Sequence, residues 1–596
     1  MADEAGDEVG VEVQVDQRVV RVLPDQPAID KTFDYSVPAA MGDQVRVGTM
    51  VRIALHGRRI GGWVVADHVE PPPGVTLRPV AKVTGWGPAA DVLDLAEWAA
   101  WRWSGRPAQF LRTASPEHAV RHGPSPVAAR PVASPADELV GEAFAHDRSV
   151  LRLPPATDTY DVALAAAARG NALILVPSIM GARYLGLRLR RAGVTVAVMP
   201  RDWALAATGA TIVGARAAAW APVRDLAAVV VIDEHDESWQ QEQAPTWHAR
   251  DVGAERARRA GVPCVLVSPT PSLEALDWGR LVAPSRSVER EGWPIIDVVD
   301  RRDEDPGRAG LFSDRLVTAL RSGGRVLCVL NRKGRARLLA CAACGEIAAC
   351  ERCEASVVLV EAGSFACRRC DAVRPPVCLA CGGSAFKNLR AGVARVREEL
   401  EVLAQTAVVE VTAATSADAL ADARIYVGTE AVLHQVPAAG VVAFLDFDQE
   451  LLAPRYRAAE EAMALLARAA RCVGGRSAGG RVLVQTRLPD HEVIQAAVRA
   501  DPTVASRAEA DRRTLLRFPP VAAMAAVSGA AAPAFVASLR SAIAAALPEH
   551  AAAEVLGPSD DVWLVRAPDH VVLLDLLRAT PRPPGRLRVA VDPLRL

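Results

Sequence analysis

Short runs in which apolar and polar positions alternate, broken by Gly and Pro, open the chain after residue 17. Val19-Val20-Arg21-Val22-Leu23, Phe33-Asp34-Tyr35-Ser36-Val37, Gln44-Val45-Arg46-Val47 and Ile60-Gly61-Gly62-Trp63-Val64-Val65 read as strands. A helix over Asp91 to Trp103 closes this β-rich unit, residues 18–116. The preceding residues 1–17 form an acidic tail, and residues 117–145, rich in Pro, Ala, Ser and His, read as a linker or a reduced winged helix. Residues 146–290 then alternate apolar runs (Ala172 to Val176, Val194 to Met199, Ala227 to Ile232, Val262 to Ser268) with Ala/Arg-rich helical stretches, the pattern of βα units on a parallel sheet. A second set occupies residues 291–340 and 383–490, with Val326 to Leu330, Ala407 to Val411, Arg424 to Gly428, Val441 to Asp446 and Arg481 to Thr486 as strands. A cysteine window, residues 341–382, interrupts it after its first strand. Residues 491–596, with a Phe518-Pro519-Pro520 break, an Ala-rich helix near Ala534 to Ala546 and a strand Leu587 to Val591, read as a small α+β domain.

Composition adds limits. Apolar residues make up 51% and charged residues 23% of the 596 positions, and the apolar runs fall short of a membrane span. The acidic N-terminus is not a secretory signal. Eight of eleven cysteines crowd one window, which fits metal ligation in a reducing compartment, so the expectation is a cytoplasmic protein without membrane contact. A formal net charge of −1 advertises no nucleic acid globally; any such contact rests on local basic patches.

The cysteines fall as four C-x-x-C pairs: Cys341/Cys344, Cys350/Cys353, Cys367/Cys370 and Cys378/Cys381. Each pair points two thiolates at one place, and two pairs complete the tetrahedral sulfur shell of Zn²⁺, so the window is expected to bind two zinc ions. A redox C-x-x-C would account for one pair, not four. Four thiolates leave no open coordination position, so the zinc is expected to be structural. Cys264, Cys328 and Cys472 lie in or beside apolar runs and read as small buried hydrophobes.

In order along the chain, several segments resemble the PriA-type replication restart helicases, also called primosomal protein N-prime. Val329-Leu330-Asn331-Arg332-Lys333-Gly334 running into the cysteines is similar to that family's N-R-R-G segment and zinc module. Val231-Ile232-Asp233-Glu234-His235-Asp236 and Trp247-His248-Ala249-Arg250-Asp251 are similar to its D-E-E-H-D and Y-H-A-R-D. Shorter echoes are Leu175-Val176-Pro177, Thr270-Pro271-Ser272-Leu273-Glu274, Val427-Gly428-Thr429, Leu445-Asp446-Phe447-Asp448 and Phe518-Pro519-Pro520.

The resemblance implies an α/β fold of two RecA-like helicase lobes, here degenerate, with an inserted binuclear zinc module, a β-rich N-terminal DNA-binding domain and a small C-terminal domain. It implies nested zinc pairs: Cys341, Cys344, Cys378 and Cys381 on one ion, Cys350, Cys353, Cys367 and Cys370 on the other. It implies that residues 18–116 hold the 3′ end of a nascent strand, with Phe33, Asp34, Tyr35, Gly57 and Arg78 as the DNA-binding pocket; an aromatic ring can stack a base and a carboxylate can accept a 3′-hydroxyl. From residues alone, a buried F-D-Y strand end before Pro38 reads equally well. Implied partners are forked and single-stranded DNA, other primosome proteins and the replicative helicase. Arg332, Arg335, Arg337, Arg368 and Arg369 around the zinc module are candidate phosphate contacts or ordinary solvated surface.

The nucleotide motifs depart from the family. A P-loop needs G-x-x-x-x-G-K-[ST], because backbone N–H groups cradle the phosphates and the lysine reaches the β/γ-phosphates. The chain has no G-K dipeptide; Lys31, Lys82, Lys333 and Lys387 are its only lysines, and Leu153 to Thr159 reads Leu-Pro-Pro-Ala-Thr-Asp-Thr. Counting back from His248 places Ile232 at the family's magnesium aspartate. The motif VI arginine positions carry Cys472 and Gly475, and Pro269 replaces a backbone donor in motif III. The expectation is a fork-binding, primosome-assembling protein that reloads the replicative helicase without catalytic residues or ATP turnover of its own. The alternatives are an ATP-dependent 3′-to-5′ DNA helicase with a non-standard nucleotide site, and an interaction protein with no DNA role.

Overall fold

The computed structural model describes residues 18–26, 29–70, 75–121, 125, 132–304, 311–330, 339–360, 363–388, 393–412, 414–415, 420, 422–545 and 553–595. The acidic tail 1–17, part of the 117–145 stretch, and Asn331-Arg332-Lys333-Gly334 with Arg335 and Arg337 lie outside the described residues.

The N-terminal unit is a five-stranded antiparallel sheet of β1 (Val19–Pro24), β2 (Phe33–Ser36), β3 (Met50–Leu55), β4 (Arg58–Asp67) and β5 (Lys82–Gly85), ordered β2-β1-β4-β3-β5. Alternation sorts its faces: Val20, Val22, Tyr35, Val51, Ile53 and Val64 fill the interior, while Arg21, Asp34 and Arg52 point outward. Helices α1 (Ala90–Arg102) and α2 (Pro107–Ala114) cover one end of the outer face through Trp63 and Leu23 and continue into the core of the next lobe.

That lobe has a seven-stranded parallel sheet, in the order Arg280–Val282, Arg148–Arg152, Cys264–Ser268, Leu226–Ile232, Asn171–Leu175, Thr211–Gly214 and Val196–Val198. Its central strands are apolar at successive positions because helices cover both faces. The second lobe repeats the plan with six parallel strands: Ile295–Asp300, Arg481–Thr486, Val441–Phe444, Val326–Val329, Ile425–Gly428 and Val408–Val411. These are two α/β lobes, each built on a parallel sheet. The strands Arg148–Arg152, Thr211–Gly214, Arg280–Val282 and Ile295–Asp300 escape the apolar-run reading because each is short or interleaved with polar residues.

Helix Glu492–Val498 packs Val493, Ile494 and Ala497 into the second lobe's core, and helix Pro502–Leu516 follows with Ala505. The remaining C-terminal residues form a four-stranded antiparallel sheet, Glu554–Ser559, Val562–Ala567, Ala523–Ser528 and Arg588–Val591, packed with helices Ala532–Ala545 and His570–Ala579. Its last strand is seated on the first lobe: Thr246 Oγ1 donates to the Val591 carbonyl at 2.7 Å, and Asp592 takes Arg102 at 2.7 Å and His570 at 2.9 Å. Burial alone would push the Asp592 carboxyl up; His570 and Arg102 hold it far below the usual range. No helix among the described residues is long and apolar enough to cross a membrane.

Candidate nucleic-acid interface and cysteine clusters

Strand β2, the β3–β4 hairpin tip and residues 75–78 enclose a concavity of about 650 Å³ lined by Arg21, Phe33, Asp34, Tyr35, His56 and Arg78, among others. Asp34 lies opposite Arg21 in the β1–β2 ladder and receives its guanidinium at 2.8 and 3.1 Å. A carboxylate has about four lone-pair sites, so this fork leaves two for another donor. Tyr35 is buried, its hydroxyl donates to the Ala54 carbonyl at 3.0 Å, and burial raises its pKa. Phe33 packs against the same interior but stays half-buried. Arg78 is exposed, and its side chain makes no ion pair among the described residues. Gly57 forms the β3–β4 turn with His56, at φ +77° and +48°, the left-handed pair that a two-residue hairpin demands. Four of the five residues singled out from sequence thus line one cavity, and Gly57 shapes its rim. Arg21 and His56 were not singled out; ladder register places them there.

The cysteine sulfurs gather in two groups, Cys341, Cys344, Cys378 and Cys381, and Cys350, Cys353, Cys367 and Cys370, with all ligand atoms of a group within 4.8 Å of one another. Every knuckle is built alike. The N–H of the residue after the second cysteine returns to the first cysteine's carbonyl: Gly345, Glu354, Asp371 and Gly382 donate to Cys341, Cys350, Cys367 and Cys378 at 2.8–3.0 Å, each with positive φ. Cross-knuckle sulfur separations are 3.6 Å for Cys341–Cys381 and Cys344–Cys378, 3.6 Å for Cys350–Cys370 and 3.4 Å for Cys353–Cys367. A tetrahedral ion at the zinc–thiolate distance of about 2.3 Å would set its sulfurs about 3.8 Å apart. Both groups therefore could hold a metal ion with little adjustment. The first is peripheral, with Cys344 and Cys381 exposed, whereas the second packs with Tyr456, Phe518 and Met524. Arg369 is buried: it donates to the Cys353 and Ala453 carbonyls, both at 3.0 Å, and ties the cluster to the second lobe. It is not the surface cation its sequence position suggested.

The lobes meet where the family's nucleotide site would be expected. Arg471 of the second lobe places its guanidinium on both oxygens of Asp233, 2.8 Å each, and donates to the Pro155 carbonyl at 3.2 Å. Burial raises the Asp233 carboxyl, but Arg471 outweighs it and holds the pKa at about 2. Ile232 is a buried strand residue, and Glu234 is taken up by Ser272 N–H at 2.7 Å, Ser272 Oγ at 2.9 Å and Arg250 at 3.2 Å. Leu153, Pro154 and Pro155 are buried, while Ala156, Thr157 and Asp158 are exposed. A Cβ on Gly292 would stand 2.2 Å from Pro154 Cβ, and one on Gly475 would stand 2.6 Å from the Glu291 carbonyl and 3.6 Å from Ala156 Cβ. At the start of helix Tyr160–Ala168, where a phosphate would take backbone N–H groups, Asp158 accepts the Tyr160 N–H at 3.0 Å, so the N-terminus already has its anion. Arg468–Asp236 at 2.7 Å and Arg457–Glu274 at 2.5 Å extend the seam. Glu274, raised by burial, is brought down to about 2 by Arg457 and Arg513.

Residues 21–116 match the family model for a PriA 3′DNA-binding domain (3′BD). The chain is 29% identical to the probable replication restart protein PriA of Mycobacterium tuberculosis strain H37Rv, covering 91% of each chain. Over most of its length the chain is similar to the PriA replication restart proteins. Its match to PriA of Thermotoga maritima is 29% identical over 59% of this chain and 52% of that one, and to PriA of Bacillus subtilis 28% over 52% and 42%. Among solved structures it is similar to a DEAD box protein from Methanococcus jannaschii, with a TM-score of 0.31 and 9% identity over 61% of this chain and 89% of that one. It is also similar to S. cerevisiae Dbp5 bound to RNA and ADP BeF3, with a TM-score of 0.35 and 10% identity over 65% and 94%.

Proposed function

We propose that the protein binds forked DNA by the 3′ end of a strand at the branch and serves replication restart as an assembly platform, reloading the replicative helicase with other primosome proteins and without ATP-driven unwinding of its own. The observation that carries this reading is the concavity around Phe33, Asp34, Tyr35 and Arg78, within a segment that matches the 3′DNA-binding domain. Its half-buried ring can stack a terminal base, Asp34 has acceptor capacity left for a 3′-hydroxyl, and Arg78 can meet a phosphate. Two zinc ions, held by the two cysteine groups, supply shape rather than reactivity, because four thiolates close the coordination shell. Absence of turnover rests on Arg471 at Asp233, on buried Pro154 and Pro155 in place of a glycine-rich loop, and on the lack of a lysine there, since phosphoryl transfer is positioning and electrostatics.

The test is fork binding and DNA-stimulated ATP hydrolysis in one zinc-replete preparation. Tighter binding to a fork with a 3′ end at the branch than to plain duplex, with no turnover, is expected. Equal binding to both would remove the fork reading, and robust turnover would restore the helicase.

A further inference from the structure

The outer face of the N-terminal sheet is divided. Its one end, at Met50 and Trp63, is covered by α1 and α2; the other end is open. Ladder register aligns three cations on that open end. Lys82 of β5 stands opposite Arg52 of β3, Arg52 stands opposite Gly61 of β4, and Arg59 lies two residues from Gly61 on the same face. All three cations are exposed, and none has an ion pair or a side-chain hydrogen bond among the described residues. Arg52, Arg59, Gly61, Thr84, Ile60 and Trp63 are among the residues that line a concavity of about 330 Å³. Its acid, Asp25, is paired with Arg112 of α2. The three cations stand side by side next to a hollow in a chain of net charge −1.

This concavity adjoins the pocket described above. Arg52 lines the one and Ala54 the other, two residues along the same strand and therefore about 7 Å apart. We propose that Lys82, Arg52 and Arg59 form a phosphate track that holds the backbone of the DNA strand whose 3′ end enters the Phe33–Tyr35 pocket. The proposal rests on the 3′-end reading and adds to it a site of different chemistry, one that reads charge instead of the terminus. Nucleic acid is the occupant that fits, because three exposed cations in a row, unpaired among the described residues, stand beside a hollow and match a backbone of regularly spaced phosphates.

The experiment compares the full-length protein with R52A/R59A/K82A and R52K/R59K on forks carrying a 3′-hydroxyl or a 3′-phosphate at the branch, between 50 and 200 mM salt. Each phosphate contact contributes about 0.9 to the slope of log K against log salt. The triple variant is expected to lose at least tenfold in affinity at low salt, to flatten the slope by up to about 2.7, and to keep the preference for the 3′-hydroxyl. The double lysine variant, which keeps the charges, should retain affinity and slope. Unchanged affinity and slope in the triple variant, or equal losses in the lysine variant, would overturn the track. If the unmodified protein does not distinguish hydroxyl from phosphate, the pocket reading fails while the track is still judged by its own slope.

Discussion

Arg471 holds Asp233 through both carboxylate oxygens, 2.8 Å each, across the seam between the two lobes. One residue along the helix, Cys472 stands at the family's arginine position and is buried against the Leu433 carbonyl. Arg471 itself is engaged by a protein carboxylate and by the Pro155 carbonyl.

Replacing Arg471 with Gln should weaken the seam. Asp233 sits at about 2 against an ordinary 3.8, a difference worth about 2 kcal/mol above pH 4. Because the folded value is depressed, that contribution is complete above the unfolded value and fades as pH falls from about 4 toward 2. R471Q should lower Tm at pH 7 and converge on the parent near pH 2. In a double-mutant cycle with D233N the coupling should be positive and on the order of 1–2 kcal/mol; independent, additive effects would mean that the pair does not hold the seam.

At Asp448 the sign is reversed. Burial, then the neighbouring Asp446, lifts its pKa to about 7, while Thr486 and the Arg487 N–H hydrogen-bond it. A raised carboxyl leaves the fold most stable when protonated, with the cost growing as pH climbs from about 4 to 7. Asp448→Asn, fixed in the neutral form, should stabilise the protein more at pH 8 than at pH 5, by a difference on the order of 2 kcal/mol in denaturant titrations. An effect independent of pH would contradict this.

The two cysteine groups should release metal unequally. Cys344 and Cys381 are exposed, whereas the second group lies against Tyr456 and Phe518. Under a chelator in excess, one zinc equivalent should leave well before the other, and C378S/C381S should abolish the fast phase alone. C350S/C353S should remove the slow equivalent and also lower Tm, since Arg369 and Ser356 tie that cluster to the second lobe. Simultaneous release of both ions would count against separate sites.

In the pocket, Asp34→Asn keeps the size and the Arg21 contact on one oxygen while removing the charge. The variant should fold normally yet lose roughly tenfold in preference for a 3′-hydroxyl over a 3′-phosphate, a loss of about 1.4 kcal/mol. Retained preference would assign Asp34 to holding Arg21 and nothing more.

The alternation of Val20 and Val22 with Arg21, and the apolar run Leu226 to Ile232, made the β-rich unit and the parallel lobes legible in sequence, because period and burial are written locally. Gln44 to Val47, read as a strand, is instead the end of a 3-10 turn Ala39–Gln44 and the loop after it, and the strand Met50–Leu55 went unread: four alternating residues beside Gly42 and Gly48 do not distinguish a turn from a strand. The C-x-x-C knuckles were legible for the same reason: each closes its own hydrogen bonds within six residues. Which knuckles share a group depends on the strand pairs Leu339–Cys341 with Phe386–Asn388 and Val357–Leu359 with Phe365–Cys367, and spacing does not encode that. Nor did local pattern signal Arg471. Its partner lies 238 positions away, and a one-residue offset in a divergent motif looks like simple loss. Arg369 misled for a related reason: an arginine between two ligands reads as surface until the second lobe is folded beside it.

Lobes fastened by Arg471, Arg468 and Arg457 leave the cysteine clusters and the N-terminal sheet at a set separation, with no fuel needed to hold it. Such a body works as a calliper. If forks bind as proposed, the span between strand end and opposing arm is set by these three ion pairs, so one altered residue in the seam should change which junctions are accepted before it changes how tightly any is gripped.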